Sequence, residues 1–183
     1  MKAVVFLALT LLASGCLDAE TYEVRILREQ GDPAVVTFEY ANIYSHETTA
    51  TGVREDFDEL VKLWQGENVL KEMKDGGILV KNRELFIRDG KIMGRLTGIA
   101  SDLGAVEDIS MDGSQIRYKA DKAWVIVETN GRVLKTSEGE SAAWPKETTD
   151  MRVTLRNSDS KESSRSGQAA ILKLFSDYQA SRK

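Results

Sequence analysis

The residues of this chain that could do chemistry are few and scattered. Its one histidine lies in Tyr44-Ser45-His46-Glu47-Thr48-Thr49. A histidine with a serine and a glutamate has the residue types of a hydrolase, in which a base activates a hydroxyl nucleophile. Neighbours in an extended chain point to opposite faces, so adjacency alone assembles no proton relay. No G-x-S-x-G elbow occurs, and His46 reads as a solvated loop residue. Glu55, Asp56, Asp58 and Glu59 could attract a cation. Calcium needs six or more oxygens from a shaped loop, whereas these acids open a helical segment and read as a solvated face suited to the helix dipole. Asp102, Glu107, Asp108 and Asp112 form a second, looser acidic stretch with the same reading. Gly90, Gly94 and Gly98 recur every fourth residue, a packing spacing in membrane helices. With Lys91 and Arg95 between them they read as twist and bulge glycines in strands. Neither a Walker nor a dinucleotide fingerprint is present, and nothing calls for a cofactor or a metal. The remaining reactive group is the single cysteine, Cys16.

Composition narrows the class. Of 183 residues 42% are hydrophobic, too many for a disordered chain. One cysteine and one histidine exclude an internal disulfide framework and the common zinc modules. A net charge of −4 is the wrong sign for a general nucleic-acid binder.

The first sixteen residues, MKAVVFLALTLLASGC, explain the cysteine. Lys2 is a short positive region, Ala3 to Leu12 an apolar run, and Ala13, Ser14 and Gly15 are small. This is the pattern of a secretory signal peptide over residues 1–15. The run is too short to span a bilayer, which takes about 20 residues. Leu12-Ala13-Ser14-Gly15-Cys16 resembles the lipobox of bacterial lipoproteins. The common lipobox has Leu three places before the cysteine; here that place is Ala13, with Leu12 one further back. The resemblance implies a diacylglycerol on the Cys16 thiol, cleavage before Cys16, and acylation of the new amine. Such chains, at about 0.8 kcal/mol per buried CH₂, hold a protein to a membrane. By the enterobacterial-type sorting rule, Leu17 after the cysteine implies export to the outer membrane. The resemblance covers the signal alone and names no family for the folded part.

The elements that must follow are legible from periodicity. Residues 16–21 read as a lipidated tether and 22–183 as a single domain, long enough to bury roughly 70% of its unfolded surface. Tyr22 to Arg28 alternates as a strand. Ala34 to Tyr44 is a second, with Val36, Phe38, Tyr40 and Tyr44 as candidates for one face, and the turn at residues 30–33 makes the two a hairpin. Phe57, Leu60, Val61 and Trp64 form a helical stripe across residues 54–64. Val69, Leu70 and Met73 extend it past Gly66, until Gly76-Gly77. Short strands follow at Ile78 to Lys81 and Glu84 to Arg88. Asp89-Gly90, Asp112-Gly113 and Asn130-Gly131 sit between strand-like flanks, the signal of type I′ hairpins. They predict an antiparallel meander. Glu138 to Lys146 reads as a loop, Met151 to Arg156 as a last strand, and residues 157–166 as a Ser-rich surface loop. Ser166 could cap a final helix carrying Ile171, Leu174, Phe175 and Tyr178.

The expected fold is α+β: an antiparallel hairpin and meander sheet, one helical segment after the second strand, and a C-terminal helix packed on it. The expected function is a cell-envelope lipoprotein that displays a non-enzymatic domain. It is held to the membrane by its N-terminal lipid and meets an envelope protein partner, without nucleic acid. A second reading is a carrier of lipid or another hydrophobic ligand, similar in shape and length to outer-membrane lipoprotein receptors with a half-barrel covered by helices. An apolar cavity in place of a filled core separates the two. A lipid-anchored hydrolase using His46 is the third.

Overall fold

A computed structural model describes residues 17–29, 33–137, 139–158 and 167–182. Ten strands fall into two antiparallel sheets, and three α-helices complete the described residues. In chain order these are β1 (Leu17–Leu27), β2 (Ala34–Ser45), α1 (Ala50–Gln65), α2 (Glu67–Asp75), β3 (Leu79–Arg88), β4 (Lys91–Ala100), β5 (Ile109–Asp112), β6 (Gln115–Lys119), β7 (Trp124–Thr129), β8 (Arg132–Thr136), β9 (Gly139–Pro145), β10 (Asp150–Asn157) and α3 (Gln168–Ala180). The larger sheet has the order β3-β4-β2-β1-β10-β7, the smaller β5-β6-β9-β8.

The α+β expectation is overturned: the fold is predominantly β, with 51% strand against 27% helix. The extra strand content has identifiable sources. Residues 17–21 of the expected tether form the first half of β1, whose pairing with β2 begins at Leu17 opposite Ser45. The two short pieces after Gly77 are one strand, β3, paired along β4. The expected loop at 138–146 contains β9, the middle of the smaller sheet. Its Ala142-Ala143-Trp144 run lacks alternation, because all three are buried.

The meander fails at one turn. Asp89-Gly90 closes a β3–β4 hairpin with positive φ at both residues, 52° and 70°, as a type I′ turn requires. β5 and β6 also pair, turning at Gly113 with φ 56°. Asn130-Gly131 closes no hairpin. It carries the chain from β7 in one sheet to β8 in the other, and neither residue has positive φ. Asn130 is there for its side chain. Its Oδ1 accepts from Trp144 Nε1 and from Arg152 N, both at 2.8 Å, and its Nδ2 donates to Asp150 O at 2.9 Å. Gly131 is there for space, since a Cβ would lie 2.5 Å from Trp144 Nε1. A turn signal rests on backbone freedom, and here the same residue types serve as a bracket between sheets.

The core lies on one face of the larger sheet. Tyr22, Val24 and Ile26 of β1 are buried, as are Val36, Phe38 and Tyr40 of β2 and Met151, Val153 and Leu155 of β10. The intervening Glu39 and Arg95 sit in ion pairs on the opposite face, where Arg95 reaches Glu39 at 2.7 Å and Glu84 at 3.0 Å. At Asn42, with φ 55°, the β2–β4 register shifts by a bulge. Beyond it the inward positions are Ile43 and Ser45, so Tyr44 parts from the Tyr40 face and meets His46 instead. The smaller sheet covers part of the core face. Tyr118 of β6 hydrogen-bonds Tyr22 through the two phenol oxygens, and Trp124 stands edge-on to Tyr22 at 4.7 Å. The helices cover the rest, with Trp64 of α1 edge-on to Tyr40 at 5.9 Å.

Asn130→Ala leaves the buried Trp144 N–H unpaired and removes two further bonds. An unmet buried donor costs about 1–3 kcal/mol. A urea titration should show a lower midpoint by that amount with an unchanged slope; an unchanged midpoint would mean the bracket contributes nothing.

Candidate functional site

The helices frame an open groove with apolar walls on the surface. Thr49 caps α1 by accepting from Gly52 N at 3.1 Å, and Val53, Phe57, Leu60 and Trp64 descend its buried face. Gly66 ends the helix, with its N–H on Lys62 O. α3 packs beside α1, where Phe57 and Tyr178 meet edge to face at 5.8 Å. Ser166, the expected cap of α3, lies outside the described residues; Gly167 precedes the helix and makes no side-chain cap.

Between the ends of α1 and α3 and strand β3 runs an open groove of about 660 Å³. Trp64, Leu85, Phe175 and Tyr178 give it apolar walls. Arg83 and Arg182 stand at its margins. Arg83 donates to the carbonyls of Gln65 and Gly66, and Arg182 donates to the Tyr178 hydroxyl at 2.7 Å. Trp64 sits so deep because Gly94 of β4 has no side chain beneath it: a Cβ there would come within 2.5 Å of Trp64 Cη2. The Trp64 indole N–H is buried without a hydrogen-bond partner among the described residues. β3 is an edge strand of the larger sheet, and three consecutive residues, Arg83, Glu84 and Leu85, border the groove. Successive side chains of a strand alternate in direction, so an opening that touches all three follows the strand's edge.

The residues singled out by sequence disperse. His46 meets Tyr44 edge to face at 5.1 Å and lies 3.5 Å from the Asp18 carboxylate. Ser45 turns away from it, donating to Asp56 and accepting from Glu47 N at 3.0 Å, so no Ser-His-acid relay forms. The four acids of α1 are not one solvated face. Glu55 and Asp58 are exposed, Asp58 pairing with Arg54 at 3.2 Å, while Asp56 is buried on Ser45. None stands in the first turn, because the helix starts at Ala50, ahead of the apolar stripe. Asp102 caps a single 3₁₀ turn at Leu103–Ala105, and Asp112 pairs with Arg117 at 3.1 Å. No group of three potential metal ligands gathers among the described residues. Gly94 and Gly98 are strand glycines, and what requires them is close approach, by Trp64 and Ile78, rather than twist or a bulge. Cys16 lies outside the described residues. The groove itself escaped sequence reading. Trp64, Phe175 and Tyr178 belong to helical stripes and Leu85 to a short strand, but their convergence depends on how α3 is seated against α1.

Among the described residues the interior is packed with side chains. Tyr22, Tyr118, Trp124, Trp144, Ile116 and Leu155 are all buried in one cluster between the sheets. Burial pushes the Tyr22, Tyr40 and Tyr118 phenols well above the ordinary range, so they stay neutral. Two further openings, of about 470 and 700 Å³, share Arg28, Glu29 and Thr149 at the Leu27 end of β1.

No family model matches the chain, and no curated protein or solved structure matches it either.

Two predictions follow from these positions. Gly94→Ala drives a methyl group into Trp64 against a rigid sheet, which costs about 1–3 kcal/mol; the Trp64 environment should shift in near-ultraviolet dichroism and the denaturation midpoint should fall. Asp108 holds φ 54°, and partial desolvation with the neighbouring Glu107 and Asp121 carboxylates pushes it up to about 6. A carboxyl raised in the folded state lowers stability increasingly as pH rises from about 4 to about 6, and has no effect once protonated in both states, below about pH 3. Asp108→Asn, a residue that tolerates left-handed φ, should be more stable than the natural chain at pH 7 and converge with it below about pH 3. Parallel stability curves across that window would contradict the assignment.

Proposed function

We propose that this chain is a lipid-anchored cell-envelope protein whose folded domain binds a protein partner and catalyses nothing. The observation that carries the choice between partner binding and lipid carriage is the filled interior. A carrier encloses its ligand in a dry cavity, typically burying most of the ligand surface. Here the space between the sheets is occupied by aromatic and aliphatic side chains, and the apolar surface left over is an open groove along a strand edge. An open, aromatic groove with a buried unpaired indole N–H suits a protein segment that supplies apolar side chains and an acceptor. The anchor is the Cys16 lipid implied by the lipobox-like signal, with Leu17 favouring the outer membrane where the enterobacterial rule applies.

Cys16→Ser tests the anchor. The natural chain should partition into detergent and carry the mass of its acyl groups. The variant should lose both, and a variant still extracted with the membrane fraction would sink the reading.

A further inference from the structure

The start of β1 leaves the anchor no slack. Leu17 is the first residue of the strand, its side chain is 5% exposed, and it pairs with Ser45. Asp18 is pinned from three directions. Its carboxylate accepts from Asn157 Nδ2 at 2.6 Å and from Ala19 N at 2.7 Å, and His46 Nε2 lies at 3.5 Å. Cys16 is joined to Leu17 by one peptide bond, a Cα separation of about 3.8 Å.

The register shows what shares this end of the molecule. Ser45 leads into exposed Thr48 and Thr49 before α1. The β3–β4 turn at Asp89-Gly90 lies beside it, because Ile92 pairs with Ile43. Asn157 pairs with Trp124, which brings Lys122 and Ser158 to the same level. The far end, at Leu27, Val35 and Ser101, lies ten residues along the strand from Leu17, which at about 3.3 Å per residue is roughly 33 Å.

Resting on the lipid-anchor reading, we infer that this end, formed by the 46–49 loop, the Asp89-Gly90 turn and Lys122, sits in the headgroup layer of the bilayer. The occupant of the surface is the lipid headgroup region itself. The interfacial layer on each side of the hydrocarbon core is several ångströms deep, and a lipidated cysteine one peptide bond from a paired strand cannot hold the domain beyond it. Covalent geometry imposes the contact. It therefore does not depend on charge and survives high salt, unlike an electrostatic attachment. The opposite end, which carries the two openings that share Arg28, stands clear of the membrane.

The lipidated full chain offers a clean test, because its only natural cysteine is consumed by the lipid. Thr48→Cys and Ser101→Cys each supply one free thiol for an environment-sensitive dye. The proteins are reconstituted into phosphatidylcholine vesicles containing headgroup-region spin-labelled lipid. The dye at position 48 should be quenched several-fold more than the dye at position 101, in low and high salt alike. A flexible Gly/Ser spacer of roughly six residues between Cys16 and Leu17, with a reach of about 13 Å, should bring position 48 down toward position 101. Equal quenching at the two positions, or quenching at 48 that ignores the spacer, overturns the inference while leaving the anchor intact. A chain that fails to float with the vesicles overturns the anchor reading, and the inference with it.

Discussion

The hydrogen bond between the phenols of Tyr22 and Tyr118 is the constraint around which the fold is arranged. It is a polar contact inside an apolar core, and each hydroxyl is the partner the other needs. Burial keeps both phenols neutral. The bond fixes how far the smaller sheet stands from the larger one. From Tyr22 the aromatic contacts run on: Trp124 at its edge, Tyr40 stacked at 5.7 Å, and Trp64 of α1 against Tyr40. One chain of rings thus links the smaller sheet, the larger sheet and the helical layer. It also fills the space that a carried ligand would need, so the packing that holds the sheets together bears directly on function.

Apolar periodicity announced the elements that it dictates physically. The alternation of Tyr22, Val24 and Ile26 and of Val36, Phe38 and Tyr40 places the β1–β2 hairpin at the centre of the larger sheet. The spacing of Phe57, Leu60 and Trp64 gives α1 its buried face. Asp89-Gly90 is a turn because both of its residues must adopt positive φ. What stayed hidden was governed by distant partners. β9 is buried on successive residues because it is the middle of a sheet, so it shows no alternation to read. Asn130 has the chemistry of a turn residue and serves as an inter-sheet bracket. The bulge at Asn42 is held by Glu20 and Gln168, residues from a neighbouring strand and the last helix. The groove needed Leu85 and Tyr178 to meet across more than ninety positions of sequence, a convergence no local pattern encodes.

The proposed function joins a covalent address to this packing. In that proposal the signal supplies the membrane through Cys16, and β1 begins at the next residue, Leu17. A domain attached so closely would present one end to lipid and leave its sides and far end for other contacts. The groove beside β3 lies on such a side, where an edge strand, four apolar side chains and two arginines meet. Edge strands left open invite pairing by another chain, and the aromatic walls supply the apolar contact such pairing needs.

The central claim is that the core is full and that the domain carries no ligand of its own. Native mass spectrometry of residues 17–183, purified gently without detergent, tests it most directly. The account predicts a single species at the mass of the polypeptide alone, unchanged by denaturation. An added mass of a few hundred daltons that is lost on unfolding would contradict it and restore the carrier reading.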